Sequence, residues 1–317
     1  MEVGVKSILT LTVNPALDIS TSTERVISIH KLRCGASRLD PGGGGVNVSR
    51  VIRRLGGRTL AVYTAGGPTG EAYRRLIEAE RIPSVVVPVQ GSTRQNFTVD
   101  ETATGKQFRF VLQGPEVSEG EWKACLSVVA ESVPVNGYVV ASGSLPPGTP
   151  DDFYARVARL AREGSARCIV DASGEALSQA LAEGVFLVKP SRRELGEHFS
   201  VELDSQQSQI EAASALVADG SAEYVALTLG EAGAMLATKT GIIRLPVPLV
   251  QVVSTVGAGD SFLGAFVLRL AQGQPIEAAF RAGVAAGSAT AMTPATELCH
   301  RADVERLEIE LASAVRG

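Results

Sequence analysis

The stretch that decides how this chain folds is Ser254-Thr-Val-Gly-Ala-Gly-Asp260-Ser261, with the apolar run 262–270 directly behind it. A turn of small residues that opens into an apolar helix lets backbone approach a ligand closely. The first N–H groups of such a helix lack partners within it and stand at the positive end of its dipole. That end cradles an anion, such as a phosphate. Asp260 stands in the same turn, where a carboxylate could take a proton from a hydroxyl group. A base beside an anion cradle is the minimum equipment for phosphoryl transfer to an alcohol. Asp260 is equally readable as a first-turn acid that merely favours the helix dipole.

Outward from that turn, apolar runs alternate with amphipathic stretches. Strands are expected over 8–13, 59–64, 137–141, 168–171, 185–188 and 224–229, and helices over 46–55, 69–80, 150–163, 175–182 and 206–219. Repeated strand-then-helix order implies an α/β fold with a mostly parallel sheet and helices on both faces. The last third reads as three helices, 259–271, 276–291 and 302–315. Segments 20–39 and 85–111 break the rhythm and look like short strands joined by turns. Within the second, Arg94-Gln-Asn-Phe-Thr-Val-Asp100, the turn Thr104-Gly105 and Lys106-Gln-Phe-Arg-Phe-Val111 have the pattern of a hairpin. A small β subdomain that covers a site or pairs with a second copy would fit, and so would an ordinary edge hairpin. No repeat, low-complexity tract or linker divides residues 1–317, which read as one domain with the two β segments as insertions.

A net charge of −4 offers no electrostatic case for nucleic acid or an anionic membrane, and 5% aromatics leave little for base stacking. No apolar run approaches the ~20 residues of a membrane span. Met1-Glu-Val-Gly-Val-Lys6 lacks a signal-peptide pattern, so a cytoplasmic location is expected. Cys34, Cys125, Cys168 and Cys299 are far apart and read as reduced thiols. Neither they nor His30, His198 and His300 have metal-ligand spacing.

Several constellations fall at predicted strand ends. Asp40-Pro-Gly-Gly-Gly-Gly-Val-Asn47 offers bare backbone to a sugar or phosphate, or is simply a tight strand-to-helix turn. The first strand runs into Asn14-Pro15 rather than glycines, which argues against a dinucleotide-binding crossing; no P-loop pattern exists. Asp18, just beyond, could hold sugar hydroxyls or cap a local turn. Ser142-Gly-Ser-Leu-Pro-Pro-Gly148 suits a polyol or phosphate, or is a plain loop. In Lys189-Pro-Ser-Arg-Arg-Glu194, Glu194 could hold a water on Mg²⁺. The same proline-then-glutamate order is a routine helix start. Thr228-Leu-Gly230 could face a nucleotide, and Arg94 is a candidate fork for a phosphate. Arg94, Lys31 and Arg109 are each also readable as solvated cations. In an open sheet Asp18, the Gly42–Gly45 run, Ser144, Lys189, Thr228 and Gly257 would gather at one edge.

Together these pieces resemble the ribokinase superfamily, in its PfkB branch of phosphosugar kinases, over nearly the whole chain. The resemblance rests on Thr10 through Asp18, Gly35 through Asn47, Ala65-Gly-Gly-Pro-Thr-Gly70, Thr93-Arg-Gln-Asn96, Ser142 through Gly148 and Thr255 through Ser261. Lys31-Leu-Arg-Cys34, Gln107 through Val111, Val170 through Leu177 and Ser254-Thr-Val-Gly resemble the bacterial members that use ATP to phosphorylate fructose 6-phosphate. Many other members carry Asp where Ser254 stands.

The resemblance implies a three-layer α/β/α sandwich with a mostly parallel central sheet and a small β-sheet lid. It implies ATP-dependent phosphorylation of fructose 6-phosphate at its 1-hydroxyl. Tagatose 6-phosphate kinase and fructose 1-phosphate kinase stay open, as do a catalytically silent sugar-phosphate or nucleotide sensor and, less compatibly, a dinucleotide dehydrogenase. Asp260 would be the base, with the amides of Gly257, Ala258 and Gly259 as the anion hole. Asp18, Gly43, Gly44, Asn47, Arg94, Arg109 and Ser144 would bind the phosphosugar, and Lys31 would sit in the lid. Lys189, Ser191, Glu194, Thr228 and Gly230 would line the site for ATP and Mg²⁺. Ser254, Val256 and Ser288 fall where related kinases hold a monovalent cation such as K⁺. The family's metal-linked motif is usually Asn-x-x-Glu; here it is Ser191-Arg-Arg-Glu194, and a hydroxyl cannot offer an amide's two ends. A homodimer formed through the lid is also implied.

Overall fold

Ile8 to Thr12 are all buried, and they form the strand around which the large sheet is built. The computed structural model describes residues 5–314; residues 1–4 of the N-terminal segment and residue 315, the expected end of the last helix, lie outside the described residues. The chain runs β1 (Ile8–Thr12), β2 (Ala16–Thr23), β3 (Arg38–Gly42), α1 (Gly44–Arg54), β4 (Leu60–Ala65), α2 (Gly67–Ala79), β5 (Ser84–Pro88), β6 (Arg94–Glu101), β7 (Lys106–Val111) and α3 (Glu119–Ser132). It continues with β8 (Tyr138–Ser142), α4 (Phe153–Glu163), β9 (Arg167–Asp171), α5 (Gly174–Glu183), β10 (Val185–Val188), α6 (Arg192–Phe199), α7 (Gln206–Ala218) and β11 (Ala222–Thr228). A hairpin of β12 (Ala234–Thr238) and β13 (Gly241–Leu245) follows, and then α8 (Ala258–Ala271), α9 (Ile276–Ala291) and α10 (Arg301–Ala314).

Nine strands form the large sheet in the order β13-β12-β11-β10-β9-β8-β1-β4-β5. All its neighbours are parallel except β11–β12 and β12–β13. The chain leaves β1 toward β4 and β5, then returns to the other side of β1 at β8. Ligands of open α/β sheets bind in the crevice where strand order reverses in this way. Side chains alternate between the two faces of a strand. Leu9, Leu11, Val139, Ala141, Val170, Val188, Val225 and Leu227 therefore join a core under α3, α4, α5 and α7. Ile8, Tyr138, Val140, Ile169, Leu187 and Ala226 face the opposite core under α1, α8, α9 and α10. Tyr63 and Ala61 of β4 pack with Tyr73 and Ile77 of α2. The result is three layers, with a second sheet of order β3-β2-β6-β7 beside them.

The structure redraws several expected boundaries. Segment 85–111 is divided: β5 joins the large sheet beside β4, and only β6 and β7 belong to the small one. Val87 is the reason, because it is buried in the same core as Trp122, Cys125 and Val129 of α3. Segment 20–39 holds only the end of β2 and the start of β3, with a largely exposed loop over 24–37 between them. Helix α3 and the β12–β13 hairpin had no counterpart in the sequence reading. Helix α3 does carry a start signal, the reciprocal Ser118–Glu121 capping box.

Candidate active site

The glycine run after β3 draws separate elements together. A methyl group on Gly42 would lie 2.0 Å from Asp18 Oδ2, one on Gly44 2.2 Å from Ser142 Oγ, and one on Gly45 2.3 Å from the Leu11 carbonyl oxygen. These glycines are filled by the protein's own strand ends, so close packing accounts for them. Gly43 is the N-cap of α1 with φ 121°, a conformation that disfavours any side chain. The packing brings Asn47 of α1 to the mouth of α8.

There Asn47 Nδ2 donates to Asp260 Oδ2 at 2.8 Å. Gly257 caps α8 in the left-handed region, with φ 76°, and the helix begins at Ala258. The Ala258 amide spends part of its capacity on the Thr255 carbonyl at 3.3 Å. Burial pushes the Asp260 carboxyl up to about 7; Asp171 adds to the rise, while Asn47 and Lys189 oppose it. Lys189, buried at the end of β10, pairs with Asp171 Oδ1 at 3.0 Å. Burial pulls it down, but Asp171, Glu194 and Asp260 outweigh that and hold its ammonium above the usual lysine range. A methyl group on Gly259 would come within 3.4 Å of Lys189 Nζ, so the cation stands at the helix mouth. Ser142 Oγ, from β8, donates to Asp171 Oδ2 at 3.2 Å.

On the side of the small sheet, Asp18 faces Asn96 across the β2–β6 pair and accepts from its Nδ2 at 3.0 Å. Burial raises the Asp18 carboxyl to about 6, against the pull of Asn96, Arg109, Arg50 and Arg94. Arg94 donates to the Leu112 and Asn14 carbonyls, both at 3.0 Å, and its buried Nε has no partner. Arg109 is exposed on β7 and close enough to act on Asp18. Ser144 is exposed and accepts from Asn14 Nδ2 at 3.1 Å. Lys31 lies apart, exposed in the 24–37 loop, without an ion pair among the described residues.

Thr228 pairs with Ser191 as an isolated bridge, and its hydroxyl donates to the Pro190 carbonyl at 3.3 Å. Gly230 opens the next turn, and a methyl group added there would meet nothing within 4 Å. Ser191 and Glu194 form a capping box on α6: Glu194 Oε2 accepts from the Ser191 amide at 2.7 Å, and Ser191 Oγ from the Glu194 amide at 3.3 Å. The helix-start reading of Glu194 is thus realised, leaving its other oxygen for any further role. Ser254 Oγ donates to the Ala295 carbonyl at 3.1 Å and accepts from the Val256 amide at 3.3 Å. Ser288 is buried and its hydroxyl has no partner.

Three residues of this neighbourhood were not assigned a role from sequence. Asp171 and Asn14 belong to quoted motifs, but their importance lies in their partners. Arg50 sits inside α1 with no motif around it. The exposed apolar stretch with Val247, Leu249, Val252 and Val253, just before Ser254, was also unread.

Residues 18–302 match the pfkB family carbohydrate kinases. The "ATP-dependent 6-phosphofructokinase isozyme 2" of Mycobacterium tuberculosis is 45% identical over 98% of this chain and 91% of its own length. The Escherichia coli protein of the same name is 41% identical over 95% of this chain and 97% of its own. A crystal structure of phosphofructokinase-2 from Escherichia coli with potassium superposes with a TM-score of 0.93 at 40% identity, covering 97% of this chain and 99% of that one. Another structure of that enzyme is described as its tetrameric inhibited form. Ribokinase from Arabidopsis thaliana shares the fold, with a TM-score of 0.74 at 20% identity over 96% of this chain and 99% of that one. With a family match over most of its length and these relatives spanning nearly all of it, the chain belongs to the pfkB family of carbohydrate kinases.

Proposed function

We propose that this chain transfers the γ-phosphoryl group of ATP to the 1-hydroxyl of fructose 6-phosphate. The observation that carries the reading is Asp260, held by Asn47 at the mouth of α8 beside the Lys189 ammonium. With one oxygen held by Asn47, the other is available to accept the hydroxyl proton as attack proceeds. Its pKa of about 7 suits a base working near neutral pH. The amides of Gly257 and Gly259, with that of Ala258, face the charge that spreads over the transferring group, and Lys189 adds a fixed cation. On the acceptor side, Asp18 takes sugar hydroxyls with Gly43, Gly44, Asn47 and Ser144 nearby. Arg94, Arg109 and Lys31 supply the cations for the 6-phosphate. The apolar stretch before Ser254 offers a shelf for a purine face.

The residues fit the ions that such chemistry uses. Among the described residues no three His, Cys, Asp or Glu are placed to hold a metal ion by themselves; Mg²⁺ is a cation that keeps waters and few protein ligands. Glu194, through water, and Ser191 would hold it with the nucleotide, where it supplies positive charge to the phosphates. The orphaned Ser288 hydroxyl, with Ser254 and the backbone at Val256, offers neutral oxygens of the kind that suit K⁺. Leu39, Phe97 and Phe110 are exposed together on one face of the small sheet, which supports a homodimer through this lid. Among the described residues no helix is long and apolar enough to cross a membrane.

An ADP-release assay with fructose 6-phosphate, tagatose 6-phosphate and fructose 1-phosphate tests the assignment. Fructose 6-phosphate is expected to give the highest kcat/KM. Preference for another sugar reassigns the substrate, and binding without turnover of any of them removes the kinase reading.

A further inference from the structure

We infer that Arg50 is a positioning residue for the proposed phosphoryl transfer: its guanidinium sets the orientation of the Asn47 amide that holds Asp260 and ties that amide to the small sheet. The inference rests on the reading of Asp260 as the base. Arg50, in α1, is the largest fully buried side chain among the described residues and is only 1% exposed. Its Nε donates to Glu80 Oε1 at 2.7 Å and its Nη2 to Asp40 Oδ1 at 3.0 Å. Its Nη1 donates to the Pro41 carbonyl and to Asn47 Oδ1, each at 3.2 Å.

Burying a guanidinium is costly unless it is paired and hydrogen-bonded. Asp40 and Glu80 balance the charge, and an arginine kept only for packing would need no more. The bond to Asn47 Oδ1 does something further. It places the amide oxygen against Nη1 and so turns Nδ2 toward Asp260, which it meets at 2.8 Å. A flipped amide would set N–H against N–H on one side and oxygen against carboxylate on the other. Arg50 therefore makes Asn47 a donor, and the donor holds one oxygen of the base in place.

The same fork reaches the small sheet. Asp40 lies on β3, and its Oδ2 accepts from Thr296 Oγ1 at 2.6 Å. The Thr296 hydroxyl in turn meets Ser20 Oγ of β2 at 3.1 Å. Arg38 of β3 also pairs with Asp40 at 2.8 Å. The two strands that would cover the sugar are thus joined to the base through Asp40, Arg50 and Asn47. Lysine, a point charge on a flexible stem, cannot serve four acceptors in one plane.

The test compares wild type, Arg50→Lys, Asn47→Ala and the double variant, with kcat and KM followed over pH. The groups acting on Asp260 are Asn47 from α1, Asp171 from β9, Lys189 after β10 and Asp18 from β2; Asp18, Asp40, Glu80 and Arg54 surround Arg50. Loss of the oriented donor destabilises the ionised base. Arg50→Lys should therefore lower kcat about tenfold, leave both KM values within about twofold, and move the acidic limb of the kcat profile up by about one pH unit. In the Asn47→Ala background the same change should cost nothing further in kcat. An unmoved acidic limb, or a full additional loss on top of Asn47→Ala, overturns the inference. If Arg50→Lys does not fold, Glu80→Ala takes its place: it removes the acceptor of Nε at a partly exposed site. It should move the limb in the same direction by less, and an unmoved limb overturns the inference equally. Wild type inactive toward every sugar phosphate, or an active Asp260→Asn, would instead defeat the kinase reading itself.

Discussion

Asp260 meets its hydrogen-bond partner Asn47 across 213 residues of sequence, and that contact sets much of its behaviour. Asp260→Asn should lower turnover by about 10²–10⁴-fold, the usual cost of losing a general base. The base must be ionised to work. For wild type, kcat/KM should rise with pH through about 7 and then level off. The same shift has a stability consequence. The folded pKa of about 7 lies above the ordinary 3.8, so between those values the folded chain binds more protons than the unfolded one. Stability then falls as pH rises through that window. Asp260→Asn removes the effect, so its melting temperature should gain on wild type between pH 5 and pH 8; an unchanging gap would contradict a buried, raised carboxyl. Arg94 offers a test on the acceptor side. Arg94→Ala should weaken phosphosugar binding by about 1.5–3 kcal/mol, read as a higher KM for the sugar with a smaller change in kcat. At this scale Asn47 and Asp260 were legible because each lies beside a glycine turn, and Asp18 because it follows the end of the first strand. Asp171 and Arg50 were not, because nothing local marks an ordinary charged residue as the partner of a distant one.

Turns decide the elements around the site. Gly45, in the first turn of α1, has its α-carbon against β1: an added methyl would lie 2.3 Å from the Leu11 oxygen and 2.7 Å from its carbonyl carbon. Backbone on both sides leaves little to yield. Gly45→Ala should cost about 1–3 kcal/mol, as a lower urea midpoint at unchanged slope. The sequence reading of this run as a surface for ligand was only half of its meaning, since Gly42, Gly44 and Gly45 are occupied from within. Helix α6 shows the reverse economy. Ser191 and Glu194 cap the helix reciprocally, a pattern visible from their spacing, while only one carboxylate oxygen is used by the cap. Helix α3 carried the same signal at Ser118 and Glu121 and went unread. The β5 strand was assigned to the wrong sheet because an apolar run such as Ser84–Pro88 does not announce which neighbour will cover it.

Across the whole molecule, the small sheet is the part with surface to spare. Leu39, Phe97 and Phe110, cross-strand neighbours in register with Ile19, are 46%, 37% and 52% exposed, an apolar patch on the face of the small sheet opposite Asp18. Placing a charge there, as in Phe110→Asp, should shift the protein toward monomer in light scattering; an unchanged mass would place any dimer contact elsewhere. The sequence by itself determined most of the order of strands and helices, the gathering of the glycine turns at one sheet edge, and the acidic residue at the start of α8. Those features follow from periodicity and from local limits on backbone angles, which a few neighbouring residues suffice to impose. Only the tertiary structure decided which sheet β5 joins, that the glycine run is packed from within, and that Arg50 meets the amide holding Asp260. Those outcomes depend on distances between residues far apart in the chain, and on hydrogen bonds whose direction is set only once both partners are buried together.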